Sequence, residues 1–301
     1  MKISIIIVTY NTQKLTRECI DSVKKFTEGI DYEIILVDNA STDGSKDFFE
    51  KDKTVNYIYS RENIGFGRAN NLGAEYATGE YLFFLNSDTL FTENSVKILH
   101  DFYEKNGGLL NIGVLGCTLT DQNGLANGSG NSFPTVKSIV TEKFGSLPLI
   151  RNFLTYEEVE IPKNTEEYYQ IDYVLGADMF LTKDLFNEVD LFNPEYFMYY
   201  EEAEIQRKIM ELGYKNYILK HNNIVHLVAK SSVNQSTKQS HFKRLTVNKS
   251  RIVYLRNIKK LHTFLIFEYL FIFLNFFNLR YSFKENLDYC SHIMKKINKN
   301  Y

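Results

Sequence analysis

Four short polar clusters could do chemistry in this 301-residue chain: Thr9-Tyr10-Asn11, Asp38-Asn39, Asn63 to Arg68 and Asn86-Ser87-Asp88. Each follows a run of apolar residues. The last boundary is the sharpest, because Tyr81-Leu82-Phe83-Phe84-Leu85 stops abruptly at the polar triplet. Such a run reads as a buried strand, and open α/β sheets bind ligands at the carboxyl ends of their strands. Asn86 and Asp88, with Ser87 between them, offer oxygen ligands suited to a hard cation that also touches a phosphate. Asp38 can accept a hydrogen bond from the ring N–H of a uracil or thymine, with Thr9 and Tyr10 against that base or its ribose. Gly65 and Gly67, on either side of Phe66, let the backbone approach a ligand closely. Any one of these residues alone reads as ordinary turn chemistry. Their shared position at strand ends points to a ligand.

The elements that must position them alternate. Ile3 to Val8, Tyr32 to Val37, Val55 to Tyr59 and the run ending at Leu85 read as strands. Helices follow the first three: one capped by Asn11 or Thr12 and running to about Lys24, one from Asp43 to Lys51, and one ending near Thr78-Gly79. This order predicts an α/β fold, a mostly parallel sheet flanked by helices. Further on, the pattern predicts a helix over Ser95 to Asn106, a strand over Ile112 to Leu119, a loop over Asp121 to Ser132 and a strand over Tyr173 to Leu181. A short helix over Lys183 to Val189 follows, then a helix over Glu201 to Leu212 and short strands at Asn216 to Leu219 and Asn223 to Leu227. Residues 133–170 show weak periodicity and yield no element. Lys230 to Ser240 reads as a mobile polar segment.

Composition bounds the function. Apolar residues make up 44% and charged residues 24%, enough for a proper core. Cys19, Cys117 and Cys290 are far apart, with no C-x-x-C spacing, which argues for a reducing compartment and against a zinc knuckle or disulfide framework. The first apolar run is too short for a signal peptide. The loop at Gly65 is neither G-x-G-x-x-G nor a P-loop, so no dinucleotide site follows. Net charge is −2, yet residues 212–301 hold sixteen Lys and Arg against three acids, leaving −15 for the first 211 residues. A basic end of this kind suits a polyanion or an anionic membrane surface; no nucleic-acid partner is expected. Leu261 to Leu279 is nearly all apolar, interrupted by Glu268, Asn275 and Asn278. With Ser282 these fall on one side of a helix. A narrow polar stripe on an apolar helix fits a membrane interface better than a span. A core helix or a homodimer interface fits the same pattern. The flanking Arg251, Arg256, Lys259, Lys260, Arg280 and Lys284 favour the membrane surface, through residues 256–284.

Taken together, Ser4 to Asn11, Val37 to Ser45, Asn63 to Gly73 and Leu85 to Asp88 resemble the family 2 inverting glycosyltransferases of the GT-A fold, in particular bacterial rhamnosyltransferase-type members. The similarity continues through Gly176 to Phe180, Phe192 to Glu204 and His226 to Ser232, and covers roughly residues 1–255. It implies a sugar nucleotide as donor substrate, dTDP- or UDP-linked, with L-rhamnose a candidate sugar, and a glycan or lipid-linked acceptor of surface polysaccharide. It implies that Asp38 binds the base, with Thr9, Tyr10, Asn11, Asn39, Asn63, Gly65, Phe66, Arg68, Asn86 and Ser87 around the donor. Asn86-Ser87-Asp88 matches the family's D-x-D motif with its first Asp replaced by Asn. Asp88, with His226, is then the ligand of Mg²⁺ or Mn²⁺. Ala229 stands where many relatives have Gly.

Inversion at an anomeric carbon needs one carboxylate to deprotonate the acceptor hydroxyl. The family's Glu-Asp pair at a helix start matches Glu201-Glu202, so Glu202 is the expected base, with Glu201 the second candidate. Tyr196 to Tyr200 is an acceptor platform or core. The expected organisation is a nucleotide-sugar half over 1–115, an acceptor half over 116–255 and a basic, membrane-associating helical extension over 256–301. The expected location is cytoplasmic, on the inner face of the cell membrane. A nucleotidyltransferase is the second enzymatic reading, although Thr9 to Thr12 lacks the Gly-rich basic loop it needs. A membrane-docked scaffold with impaired catalysis is the non-enzymatic one.

Overall fold

A computed structural model describes residues 2–144, 167–227, 237–270, 272–276, 278 and 281–299, without the side chains of 143–144, 237–240 and 296–299. Ala229 and most of the expected mobile segment at 230–240 lie outside the described residues. The described residues form two compact units: those up to Phe133 together with 167–227, and 134–144 together with those from 237 onward.

The first unit is built on a mixed sheet. Its first half contains β1 (Lys2–Thr9), β2 (Asp31–Asp38), β3 (Asn56–Tyr59) and β4 (Tyr81–Asn86), in the order β3-β2-β1-β4 and all parallel. Ile3, Ile5, Ile6 and Ile7 are fully buried, as expected for a parallel strand covered on both faces. The helix Phe66–Tyr76 lies against this half. A Cβ on its Gly73 would come within 2.5 Å of Ile6 Cγ2, so only glycine lets the helix sit this low.

The other half brings β5 (Thr89–Phe91), β6 (Ile112–Thr120), β8 (Tyr168–Ile171), β10 (Asp178–Thr182) and β11 (Lys215–His226). Its order continues β4-β10-β6-β11-β5, and β8 pairs with β11. Here only β6 and β11 are parallel; the other pairings run antiparallel. The expected parallel sheet therefore describes the first half, and the second half is mixed. β7 (Gly130–Asn131) and β9 (Tyr173–Val174) form a small separate pair.

Three expectations are refined. The two short strands after Asn216 are one strand, interrupted by a register shift between Leu219 and Asn223. The run from Tyr173 to Leu181 breaks between β9 and β10. β5 was not expected at all, and it has consequences for the site.

The second unit is helical: Val136–Phe144, Thr237–Asn257, Leu261–Leu270, Ile272–Phe276 and Phe283–Lys299. The apolar stretch at 261–279 thus contains two helices. None of the described helices is long and apolar enough to cross a membrane.

Candidate active site

At the end of β1, Thr9 is fully buried. Its Oγ1 lies 2.8 Å from Thr16 Oγ1 and 3.1 Å from Thr12 Oγ1. Thr9 therefore fastens the start of the helix Gln13–Phe26 and is not presented to a ligand, unlike the expected base or ribose contact. Tyr10 is 49% exposed and is the side chain offered there. Asn11 adopts the left-handed backbone (φ 55°) and accepts the Thr42 N–H at 2.7 Å, closing the loop after β2 onto the end of β1.

Asp38 ends β2 and is fully buried. Its Oδ1 accepts the Ser41 N–H at 2.8 Å and its Oδ2 accepts the Tyr57 O–H at 2.8 Å. Both carboxylate oxygens are thus already engaged within the protein. Sequence reasoning missed Tyr57, whose only signal was alternation along the weak third strand. Burial and Asp38 together push the Tyr57 phenol up.

Asn39 and Asn63 join the loops. Asn39 Nδ2 donates to Asn63 Oδ1 (3.0 Å) and to the Gly65 carbonyl (3.2 Å), and its Oδ1 accepts the Ile64 N–H at 2.9 Å. Gly65 has φ of +89°, and a Cβ there would collide with the Phe197 carbonyl. The backbone approach expected at this glycine is thus toward the chain itself. Phe66 N–H donates to that same carbonyl at 2.8 Å. Arg68, expected at the donor, donates from Nε to the Pro194 carbonyl at 2.6 Å. Asn71 holds Phe192 from both sides: its Nδ2 donates to the Phe192 carbonyl (2.7 Å) and its Oδ1 accepts the Phe192 N–H (3.0 Å). The loop at 63–65 and the first turns of the helix Phe66–Tyr76 are therefore strapped to the segment 192–197 that leads to the acidic pair.

β4 ends at Asn86. There, β5 pairs antiparallel with the end of β11, with Thr89 opposite His226. The turn between β4 and β5 carries Ser87 and Asp88, so this pairing brings a residue 138 positions away in sequence beside Asp88. His226 Nε2 lies 3.3 Å from Asp88 Oδ1 and 3.5 Å from Asn86 Nδ2. The Leu227 N–H donates to the Asp88 carbonyl at 2.9 Å and locks the register. His226 Nδ1 is buried without a partner. Ser87 Oγ lies 3.2 Å from Thr12 Oγ1, linking this turn to the helix after β1.

Glu201 and Glu202 open the helix Glu201–Glu211. Tyr199 and Tyr200 before them both take left-handed backbone, φ 74° and 72°, a costly conformation for aromatic residues that sharply sets where the helix begins. Tyr196 is fully buried and belongs to the core, whereas Met198 is exposed. Glu201 is buried, Glu202 is half-buried, and Oε2 of each has no hydrogen-bond partner. Burial, and then the charge of Glu202, push the Glu201 carboxyl well above the usual range. Burial raises Glu202 as well. A Cβ placed on Gly176 would sit 3.3 Å from Phe66 Cε1 and 3.8 Å from Glu202 Cβ, so the Phe66 loop, Gly176 and Glu202 are neighbours. The next residue, Ala177, accepts the Asn86 N–H at 3.0 Å. Glu202 and the start of the Asn86-Ser87-Asp88 turn thus lie against the adjacent residues Gly176 and Ala177.

Residues 4–146 match the family described as glycosyl transferase family 2. The match spans just under half of this chain. Among curated relatives, it is 35% identical over 102 residues to glycosyltransferase GlyG of Streptococcus pneumoniae, a stretch covering 33% of this chain and 34% of the relative. It is 36% identical over 121 residues to a poly(ribitol-phosphate) beta-glucosyltransferase of Bacillus spizizenii, covering 38% of this chain and 19% of that one. The chain spans between 15% and 34% of the length of the first curated relatives it matches. Among solved structures, S. aureus TarS 1–349 in complex with UDP aligns with a TM-score of 0.55 at 18% identity, covering 96% of this chain and 78% of that one. The fold is of the GT-A type.

Proposed function

We propose that this chain is an inverting glycosyltransferase that moves a sugar from a UDP- or dTDP-sugar to a glycan acceptor. The observation that carries the proposal is the junction at Gly176–Ala177. There, Glu202, of a carboxylate pair raised by burial, and the strand-end turn that carries Asp88, with His226 of β11 against it, meet neighbouring residues. Glu202 is the general base. Desolvation brings its pKa toward working pH, where a base is most effective. Glu201, the more buried, holds its proton and keeps the pair at a single negative charge. The acceptor is lipid-linked and the enzyme works at the inner face of the membrane. L-rhamnose is the first sugar to test, given the resemblance to rhamnosyltransferase-type members.

The donor set at Asp88 suits a divalent cation. It offers a carboxylate oxygen, an imidazole nitrogen and, after a half-turn of its amide, the oxygen of Asn86. Among the described residues no group of three His, Cys, Asp or Glu converges. Mg²⁺ or Mn²⁺ would thus take its other ligands from the diphosphate and water, as Mg²⁺ commonly does. When bound, it supplies positive charge to the leaving diphosphate. Asp88 and His226 would hold it there, and Asp38 and Tyr10 would address the base.

The test is to supply a panel of UDP- and dTDP-sugars with lipid-linked acceptors and measure nucleoside diphosphate release. Acceptor-dependent release with one donor is expected. No turnover of any donor would remove the proposal.

A further inference from the structure

The second unit is amphipathic the wrong way round for a protein in water. On the helix Leu261–Leu270 the charged residue, Glu268, is 1% exposed, and on Ile272–Phe276 the amide residue, Asn275, is 4% exposed. Ile266, Tyr269, Leu270 and Phe273 are 55%, 59%, 59% and 56% exposed. Ile266, Tyr269 and Leu270 recur at the spacing of one helical face, and Phe273 is exposed on the helix that follows. Asn275 is held inward by Arg244. Its guanidinium lies 3.8 Å from the centre of the Tyr289 ring and 4.4 Å from that of Tyr281. It donates to Asn286 Oδ1 at 2.8 Å and to Asn275 Oδ1 at 3.4 Å. Rolling the helices to hide the apolar side would break these contacts. The face extends to the next helix, where Phe276 meets Phe283 edge-on with ring centroids 5.0 Å apart, and Phe283 and Leu287 are exposed.

A contiguous exposed apolar face marks an interaction site. The charge around it selects the occupant. Arg256, Lys259 and Lys260 precede these helices and Lys284 follows them, all exposed. Residues 234–301 carry thirteen Lys and Arg against three acids. A second copy of so basic a surface would be repelled, and an anionic lipid surface would be attracted. We propose that Ile266, Tyr269, Leu270 and Phe273 form a membrane-inserting face that lies in the interface of an anionic bilayer, with the flanking bases on the headgroups. The idea deepens the lipid-linked-acceptor reading and rests on it only for its purpose. Vesicle binding needs neither donor nor acceptor, so the two can fail separately.

The experiment is co-sedimentation of the full chain with vesicles of phosphatidylcholine, alone or with roughly one-third phosphatidylglycerol. The wild type is expected to bind the anionic vesicles at least about tenfold more tightly than the neutral ones. A Leu270→Ser, Phe273→Ser double variant is expected to lose about tenfold or more of that binding. Both positions are on the surface, so its thermal unfolding should match wild type. Lys259→Gln with Lys260→Gln is expected to erase most of the preference for anionic lipid. Absence of vesicle binding by the wild type, or equal binding by the apolar double variant, overturns the inference. So does a concentration-dependent dimer that the double variant dissolves, because a second copy would then cover the face.

Discussion

At the scale of single residues, two buried carboxyl sites control the pH response. Glu201 and Asp178 are both raised well above their ordinary range, chiefly by burial. A carboxyl whose folded pKa is raised binds its proton more tightly folded than unfolded. Its stabilisation is complete below the unfolded pKa and is lost as pH rises through the folded one. Stability is therefore expected to fall as pH rises above the ordinary carboxylate range. Asp178→Asn, which keeps an acceptor for the Cys117 N–H, should flatten that slope in denaturant titrations. An unchanged slope would show that Asp178 is ionised throughout. Catalysis should run the other way: transfer is expected to rise with pH as Glu202 loses its proton, on a limb displaced above the free-Glu value of about 4.3. At the cation turn, Asn86→Asp adds a hard anionic ligand, so half-saturation by Mn²⁺ is expected at a several-fold lower concentration; no change would place the cation elsewhere. These residue types were legible in the sequence because apolar runs end on them. The partners were not. Nothing local announces that Tyr57 holds Asp38, that Arg68 is tied to Pro194, or that Thr9 is buried in a threonine cluster.

At the scale of elements, the long buried strands were readable because β-branched and aromatic runs have few alternatives once both faces are covered. β1, β2 and β4 fall where the apolar runs do. β5 was not readable: three residues give no periodicity, and their pairing with β11 is a long-range choice made by the register at Thr89 and His226. The break between β9 and β10 was equally hidden, since a continuous apolar stretch does not reveal where the chain leaves one sheet for another. The strap between residues 63–71, a loop running into a helix, and segment 192–197 is the element-scale device of the site. It ties the glycine loop to the start of the acidic helix, and Asn71 makes two of its bonds. Asn71→Ala is expected to cost about 1–3 kcal/mol of stability by leaving the Phe192 backbone groups unpaired. It should also lower the transfer rate more than it weakens donor binding, because it loosens the segment before Glu202. Equal loss of both, or of neither, would separate the strap from the base.

At the scale of the whole molecule, the chain divides its charge as it divides its structure. The acidic excess lies in the sheet-bearing part of the sequence and the basic excess at the helical end. That asymmetry was plain from counting residues. The apolar stretch near 270 was equally plain, but which side of it faces outward was not, since Asn275 is held inward by Arg244, which lies 31 residues earlier on another helix. The central claim is that Glu202 acts as the base of sugar transfer at a site that binds its donor independently. The most direct measurement compares wild type with Glu202→Gln under identical conditions, following donor affinity by calorimetry and acceptor-dependent nucleoside diphosphate release. The variant is expected to bind the donor as wild type does and to transfer about 10²–10⁴-fold more slowly. Transfer at the wild-type rate by Glu202→Gln would contradict the account.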